Sequence, residues 1–251
     1  LTFGKLFPND VEKIKRGTLP GTPSYFQKDY KSNKLTFGDS HAISAWLEGS
    51  KCSRNDGLTL NGALNKGFDT FIDEMQMEEI QTVRFYLGNI DVRHHLCRLY
   101  PNQQERLRET QRLAIRYVRE ALRVKNKYKI KYVGIVELLP IEHECRRLPK
   151  TGNYKGQPFW GTAEERMEVR DVFNATLKRL QGEFGGYTII EWPDEYTHKE
   201  EKTVPLSSLS GVFKTYPEKE ITFKPGMLRF DVMEKPHSVH IAPTYYLWSA
   251  V

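Results

Sequence analysis

Cysteine is scarce in this sequence: three residues in 251, none in a CxxC spacing. Cys52, Cys97 and Cys145 lie far apart, so neither a zinc ribbon nor a disulfide framework is indicated, and a reducing, cytoplasmic compartment is expected. No stretch approaches the run of roughly eighteen apolar residues that a membrane-spanning helix requires. The first thirty residues include Asn9, Asp10 and Glu12 without a continuous apolar stretch, so they do not read as a secretory signal. The chain begins at Leu1 and not at a methionine, which leaves an upstream segment open. Repeats of solenoid or propeller period and low-complexity tracts are missing too. The one echo, Leu-Thr-Phe-Gly at 1–4 and again at 35–38, is too short for a duplicated domain.

What is present is the composition of a soluble globular protein, 39% hydrophobic and 28% charged. The length suits one ordinary domain, or at most two small ones, and can bury a core without staples. A formal charge of +6 and a pI near 9.0 give only a weak preference for an anionic partner.

Residues 1–33 read as an arm, with a turn-like stretch from Gly17 to Pro23. From Lys34 strand and helix signals alternate. Leu35–Phe37 is a short apolar strand stopped by Gly38, and His41–Leu47 reads as the first turns of a helix. Leu58–Leu60 reads as a second strand with Asn61-Gly62 as its turn, and Phe68–Met77 has helical spacing. Thr82–Leu87 is a strand ending at Gly88, and a long helix follows over about 102–125. Ile130–Leu139 is the most apolar strand, Glu164–Leu180 is helical, and Tyr187–Trp192 is a further strand. This rhythm predicts a three-layer α/β/α domain over 34–251 with a mainly parallel, flavodoxin-like sheet covered by helices on both faces. The polar, turn-rich stretch 193–236 breaks the rhythm and is expected to be a β-rich excursion or cap.

Open parallel sheets bind ligands beyond the carboxyl ends of their strands. Three polar clusters fall at or after such ends: Gly38-Asp39-Ser40-His41, the run from Gly88 to His95, and His237-Ser238-Val239-His240. Five of the seven histidines lie in these clusters. A serine at a strand-to-helix corner needs a distant histidine as its base, and Ser40 with His240 meets that need.

Phe37-Gly38-Asp39-Ser40-His41-Ala42 resembles block I of the SGNH (GDSL-like) hydrolase family, in the GDSH form of its carbohydrate O-acyl-modifying members. Gly62 stands for the block II glycine, Gly88-Asn89-Ile90-Asp91 for block III and His240 for the block V histidine. The resemblance covers about 34–251. It implies that Ser40 is the nucleophile, that His240 is the general base, and that the N–H groups of Ser40 and Gly62 join an asparagine amide, Asn89, around an oxyanion. Asp39 is grouped with this catalytic pair.

Two departures stand out. The block III asparagine sits one residue early, with Ile90 in its usual place. The acid three residues before the histidine is replaced by His237, so Asp231 or Glu234 would have to substitute, or Ser40 and His240 would act as a dyad. Substrate contacts are expected from Arg93, a bidentate anion binder, and from Asp91, His94, His95, His41 and His237. His94 and His95 are adjacent, so only one of them can face a pocket. An ion pair between Asp91 and Arg93 is the structural alternative for those two. His143 and His198 are isolated and read as structural.

The expected activity is that of a serine esterase or O-acyltransferase on a small-molecule or glycan ester, with no cofactor, no metal and no membrane partner. Two other classes use the same residues. Asp39-x-His41, Gly88-Asn89-x-Asp91 and His237-x-x-His240 resemble metallophosphoesterase ligand blocks, but no bridging carboxylate block lies between 42 and 87. A basic module for nucleic acid would use Arg108, Arg112, Arg116, Arg119 and Arg123, which recur along one helix face, and the lysine-rich stretch 125–131. That face reads better as the solvated side of a packed helix. Trp160, Trp192 and the run from Tyr245 to Trp248 read as core residues, with stacking on sugars or bases as the alternative.

Overall fold

The computed structural model describes residues 31–72, 77–143, 155–156, 159–205, 220–233, 240–242 and 245–247. Five parallel strands form its sheet: β1 (Lys34–Gly38), β2 (Lys51–Arg54), β3 (Thr82–Tyr86), β4 (Tyr132–Val136) and β5 (Thr188–Ile190), in the order β2-β1-β3-β4-β5. This is the flavodoxin-like order, in which the chain reverses its direction of travel between β1 and β3. The helices are α1 (Leu60–Lys66), the single turn α2 (Leu96–Leu99), α3 (Gln103–Lys127) and α4 (Ala163–Phe184). A π-helical turn, Asp91–His95, runs directly into α2.

Strand alternation divides the interior into two cores. Leu35, Phe37, Val83, Phe85, Val133 and Ile135 point to one face, where they meet Leu60, Tyr117, Val118, Phe173 and Leu177 of the helices. Tyr86 and Val136 point to the other, against Ala42, Trp46, Trp192, Leu228, Val232 and Ile241. The long helices share one face because the connections β2→β3, β3→β4 and β4→β5 all advance in one direction, and right-handed crossovers then fall on one side. The β1→β2 connection runs the opposite way and crosses the other face. It is short: a 3-10 turn, Ala42–Ala45, then a loop pinned by Thr36, whose Oγ1 accepts from the Leu47 N–H at 3.0 Å and lies 2.7 Å from Ser50 Oγ. Among the described residues, that second face is completed by the C-terminal segments and not by a long helix.

Three local expectations meet the structure differently. The strand expected at Leu58–Leu60 is instead the start of α1, and β2 lies earlier, at Lys51–Arg54. Thr59 caps α1, its Oγ1 accepting from the Gly62 N–H at 2.9 Å, while the Asp91 carboxylate accepts from the Leu60 and Asn61 N–H groups at 2.7 and 3.1 Å. Four N-terminal donors of a helix need partners, and a carboxylate 31 residues away supplies two of them. His41–Leu47 contributes one 3-10 turn and no longer helix. Of the helix expected over Phe68–Met77, the described residues contain a 3-10 turn, Phe68–Phe71, and a helical Met77, while 73–76 lie outside them. Beyond β5, β6 (Lys202–Pro205) and β7 (Glu220–Phe223) form an antiparallel pair within the 193–236 stretch.

Burial pushes the Asp91 carboxyl up to about 6, against the pull of its backbone N–H partners. A carboxyl raised on folding binds its proton more tightly in the folded chain. Its contribution to stability is therefore full below about pH 4 and is lost as the pH rises through 6, a change of about 3 kcal/mol. Other carboxyls act in the opposite sense, so the difference between chains isolates this group. The unfolding free energy of wild type relative to Asp91→Asn, measured by urea denaturation, should fall between pH 4.5 and 7.

Candidate active site

The site begins where β1 ends. Gly38 pairs with Tyr86 of β3, and the next N–H, that of Asp39, still donates to the Tyr86 carbonyl at 3.3 Å. The chain then turns sharply. The Ala42 N–H donates to the Asp39 carbonyl at 3.1 Å, and the His41 N–H donates to Asp39 Oδ1 at 2.8 Å, an Asx turn that leaves Ser40 half-buried at its apex. The turn stands at the β1/β3 reversal, the position where a doubly wound sheet opens a crevice.

His240 arrives from the far end of the chain. Ile241, fully buried beside Leu228 and Val232, bridges Met233 in antiparallel fashion, and the Ala242 N–H donates to the Val232 carbonyl at 2.7 Å. The Leu247 N–H donates to the Ser44 carbonyl, also at 2.7 Å, which fastens the C-terminal segment to the turn that carries the serine. The outcome is a 3.0 Å contact between Ser40 Oγ and His240 Nε2, across 200 residues of sequence. At that distance the imidazole can take the hydroxyl proton. The His41 ring lies beside both: its Nδ1 is 2.8 Å from Asp39 Oδ1 and 3.5 Å from Ser40 Oγ, and its centroid is 4.5 Å from that of His240.

Asn89 is buried at the carboxyl end of β3. Its Oδ1 accepts from the Leu139 N–H at 3.1 Å, and its Nδ2 end is a buried donor beside the Tyr86 hydroxyl. Gly62 sits differently from expectation. It lies in the first turn of α1, where its N–H is already taken by Thr59, so that donor is not available to an oxyanion.

The remaining candidates separate. Asp91 holds the start of α1 and makes no pair with Arg93. Arg93 is buried and its Nε donates to Glu142, in the loop that follows β4. Burial alone would raise the Glu142 carboxyl, but Arg93 and Arg166 hold it below the usual carboxylate range. Arg166, itself fully buried, reaches the Glu142 carbonyl at 3.4 Å and lies 4.1 Å over the Phe159 ring. This cluster ties β4 to α4 and to the turn after β3. Sequence reasoning missed Glu142, 49 residues from Arg93, because no local signal marks it. Removing one member of a buried ion cluster strands the others, so Glu142→Ala should lose about 3–5 kcal/mol of stability in urea unfolding.

His94 is buried against Phe159, with 6.0 Å between ring centroids, while His95 points the other way. His95 lines a cavity of about 270 Å³ with Asn61, Tyr100, Arg112 and Arg116, a cavity that none of Ser40, His41 and His240 lines. The adjacent histidines therefore do point apart. The Asp231 carboxylate bonds Arg229 at the surface, 3.0 Å from its Nε, so it is committed to that pair. His237 and Glu234 lie outside the described residues. His143 and His198 pack on Phe223, at centroid distances of 5.4 and 4.7 Å, and burial pushes His143 down to about 4. Among the described residues, no three His, Cys, Asp or Glu side chains converge as metal ligands.

On the basic face of α3, Arg112 pairs with Glu109, Arg116 bonds Asn61 and Asn65, and Arg123 bonds Glu120 and Asp69. These contacts clamp α1 and the Phe68–Phe71 turn to the long helix. Trp192 is core, its Nε1 donating to the Glu137 carbonyl at 2.9 Å.

No protein-family model and no curated protein matches the chain. Among solved structures it is similar to a protein of Streptococcus pneumonia described as a platelet activating factor, at 14% identity over 87% of this chain and 85% of that one, with a TM-score of 0.43. It is also similar to a lipase from goat rumen metagenome, at 14% identity over 62% and 79% of the two chains and a TM-score of 0.40. A third is phospholipase A1 from Streptomyces albidoflavus NA297, at 13% identity over 62% and 77%, with a TM-score of 0.32. The sheet order and crossovers make the chain an α/β protein with a mainly parallel sheet.

Proposed function

We propose that this protein is a serine esterase or O-acyltransferase of SGNH type, acting on an acyl ester for which a carbohydrate is the first candidate carrier. The observation that carries this reading is the 3.0 Å contact of Ser40 Oγ with His240 Nε2 at the sheet's reversal point. A hydroxyl is a weak nucleophile until a base takes its proton, and structural packing alone gives no reason for a half-buried serine to face an imidazole there.

In the reaction, Ser40 Oγ bonds to the acyl carbon as its proton passes to His240. The carbonyl electrons move onto oxygen, where the Ser40 N–H and the Asn89 Nδ2 are the candidate donors. Collapse expels the alcohol, which takes the proton from His240. Water, or a sugar hydroxyl in the transferase case, then repeats the sequence in reverse and releases Ser40. Arg93 and Asp91 take no part in substrate binding on this account, since both are held within the fold.

Substrate class tests this reading. Purified protein should hydrolyse p-nitrophenyl acetate at a rate unchanged by chelator, and leave bis(p-nitrophenyl) phosphate intact with or without added divalent ions. Chelator-sensitive phosphodiester cleavage with no ester cleavage would replace it by the metallophosphoesterase class.

A further inference from the structure

Asp39 is completely buried, although it adjoins a half-buried serine. Its Oδ1 accepts from both the backbone N–H and the Nδ1 of His41, each at 2.8 Å. Its Oδ2 is buried as well and has no hydrogen-bond partner among the described residues. An Asx turn needs only a short acceptor, which asparagine or serine provides without charge. A buried carboxylate with one oxygen left open is costly, so the turn does not account for it. The groups around it form a series. Asp39 holds His41; the His41 ring faces that of His240 at 4.5 Å; and Ser40 Oγ lies against both imidazoles, 3.5 Å from one and 3.0 Å from the other.

We propose that Asp39 and His41 are positioning residues for the Ser40–His240 pair: the Asp39 carboxylate fixes His41 with a proton on Nδ1 and supplies the negative charge that favours a protonated His240. Proton transfer from Ser40 makes an imidazolium, and an imidazolium needs a nearby anion. A charged His41 standing alone at 4.5 Å would oppose it. Bonded to Asp39, the pair carries one negative charge when His41 is neutral and none when it is protonated, so in neither state does it repel the charge on His240. Ser40 and His41 both lie against the His240 ring, with Asp39 behind His41 and the Tyr86 ring edge-on to His41 at 6.1 Å. The purpose of this arrangement rests on the serine-hydrolase reading, but the coupling itself is a ground-state property that needs no substrate to measure.

The experiment is a histidine-labelled NMR titration of wild type and Asp39→Asn, with the His240 signal assigned from His240→Gln. Asparagine keeps an acceptor for both His41 contacts and removes the charge. The His240 midpoint should fall by about one pH unit in Asp39→Asn, the effect of losing a nearby opposite charge. A midpoint that stays in place in a folded variant overturns the proposal. Should Asp39→Asn fail to fold, the wild type decides: the Asp39 carboxyl carbon and the His41 Nδ1 resonance should move through the His240 titration, and silence from both overturns it. The same samples are treated with a fluorophosphonate. Coupled titration without Ser40 labelling would keep the Asp39–His41 role and remove the hydrolase reading, whereas labelling with uncoupled titration would do the reverse.

Discussion

Gly38→Ala should unfold the protein or open its sheet. A Cβ at this position would lie 2.1 Å from the Tyr86 carbonyl oxygen, 3.0 Å from the Tyr86 carbonyl carbon and 3.2 Å from the Ala42 Cβ. The first two are backbone atoms of the neighbouring strand, so no side-chain rotation relieves the clash. The Gly38 carbonyl is held by the Asn55 N–H at 2.9 Å on the other side, which blocks retreat toward β2. Overpacking a core costs about 1–3 kcal/mol when side chains can yield, and backbone that cannot yield places this change at or above the top of that range. The unfolding free energy in urea should drop by at least about 3 kcal/mol at unchanged m-value, with esterase activity lost in whatever remains folded. An unfolding free energy within about 1 kcal/mol of wild type would show that the end of β1 is not packed as described.

The second large effect is on chemistry. Ser40→Ala and His240→Ala should each reduce kcat on p-nitrophenyl acetate by about 10³-fold or more, and the double variant should be little worse than either single one. Non-additivity is the signature of two groups acting in one step. Both residues are half-buried at the rim of the second core, so neither truncation should change the unfolding free energy by more than about 1 kcal/mol. Independent, additive losses would indicate that the 3.0 Å contact is incidental to turnover.

Much of this site is legible in the amino-acid sequence, for reasons that attach to particular residues. Parallel strands buried on both faces read as apolar runs, so the ends at Gly38 and near Gly88 stand out, and polar residues directly after them mark the crevice. His240 is visible because histidines cluster where few would be expected by chance. The roles settled by distant partners are not legible. Asn61-Gly62 looks like a hairpin turn until Asp91 and Thr59 are seen holding the start of a helix there. Arg93 looks like a free anion binder until Glu142, in the loop after β4, is seen to hold it. The spacing Asp39-x-His41 suggests metal ligands, whereas the turn folds the carboxylate back onto its own imidazole. The arginine stripe of α3 is read correctly as one face, but contacts to Asn61, Asn65 and Asp69 make part of it a clamp between elements. In each case the missing information is a side-chain partner that neither periodicity nor composition specifies.

The most direct test of an activated serine is covalent labelling of the folded protein with a fluorophosphonate, since the probe reacts readily where a base takes the serine proton during attack and the phosphonyl oxygen finds donors. Wild type should be labelled at Ser40 whether or not chelator is present, and Ser40→Ala and His240→Ala should not be labelled. A well-folded wild type that stays unlabelled, or labelling that survives in His240→Ala, would contradict the account of Ser40 and His240 as a working pair.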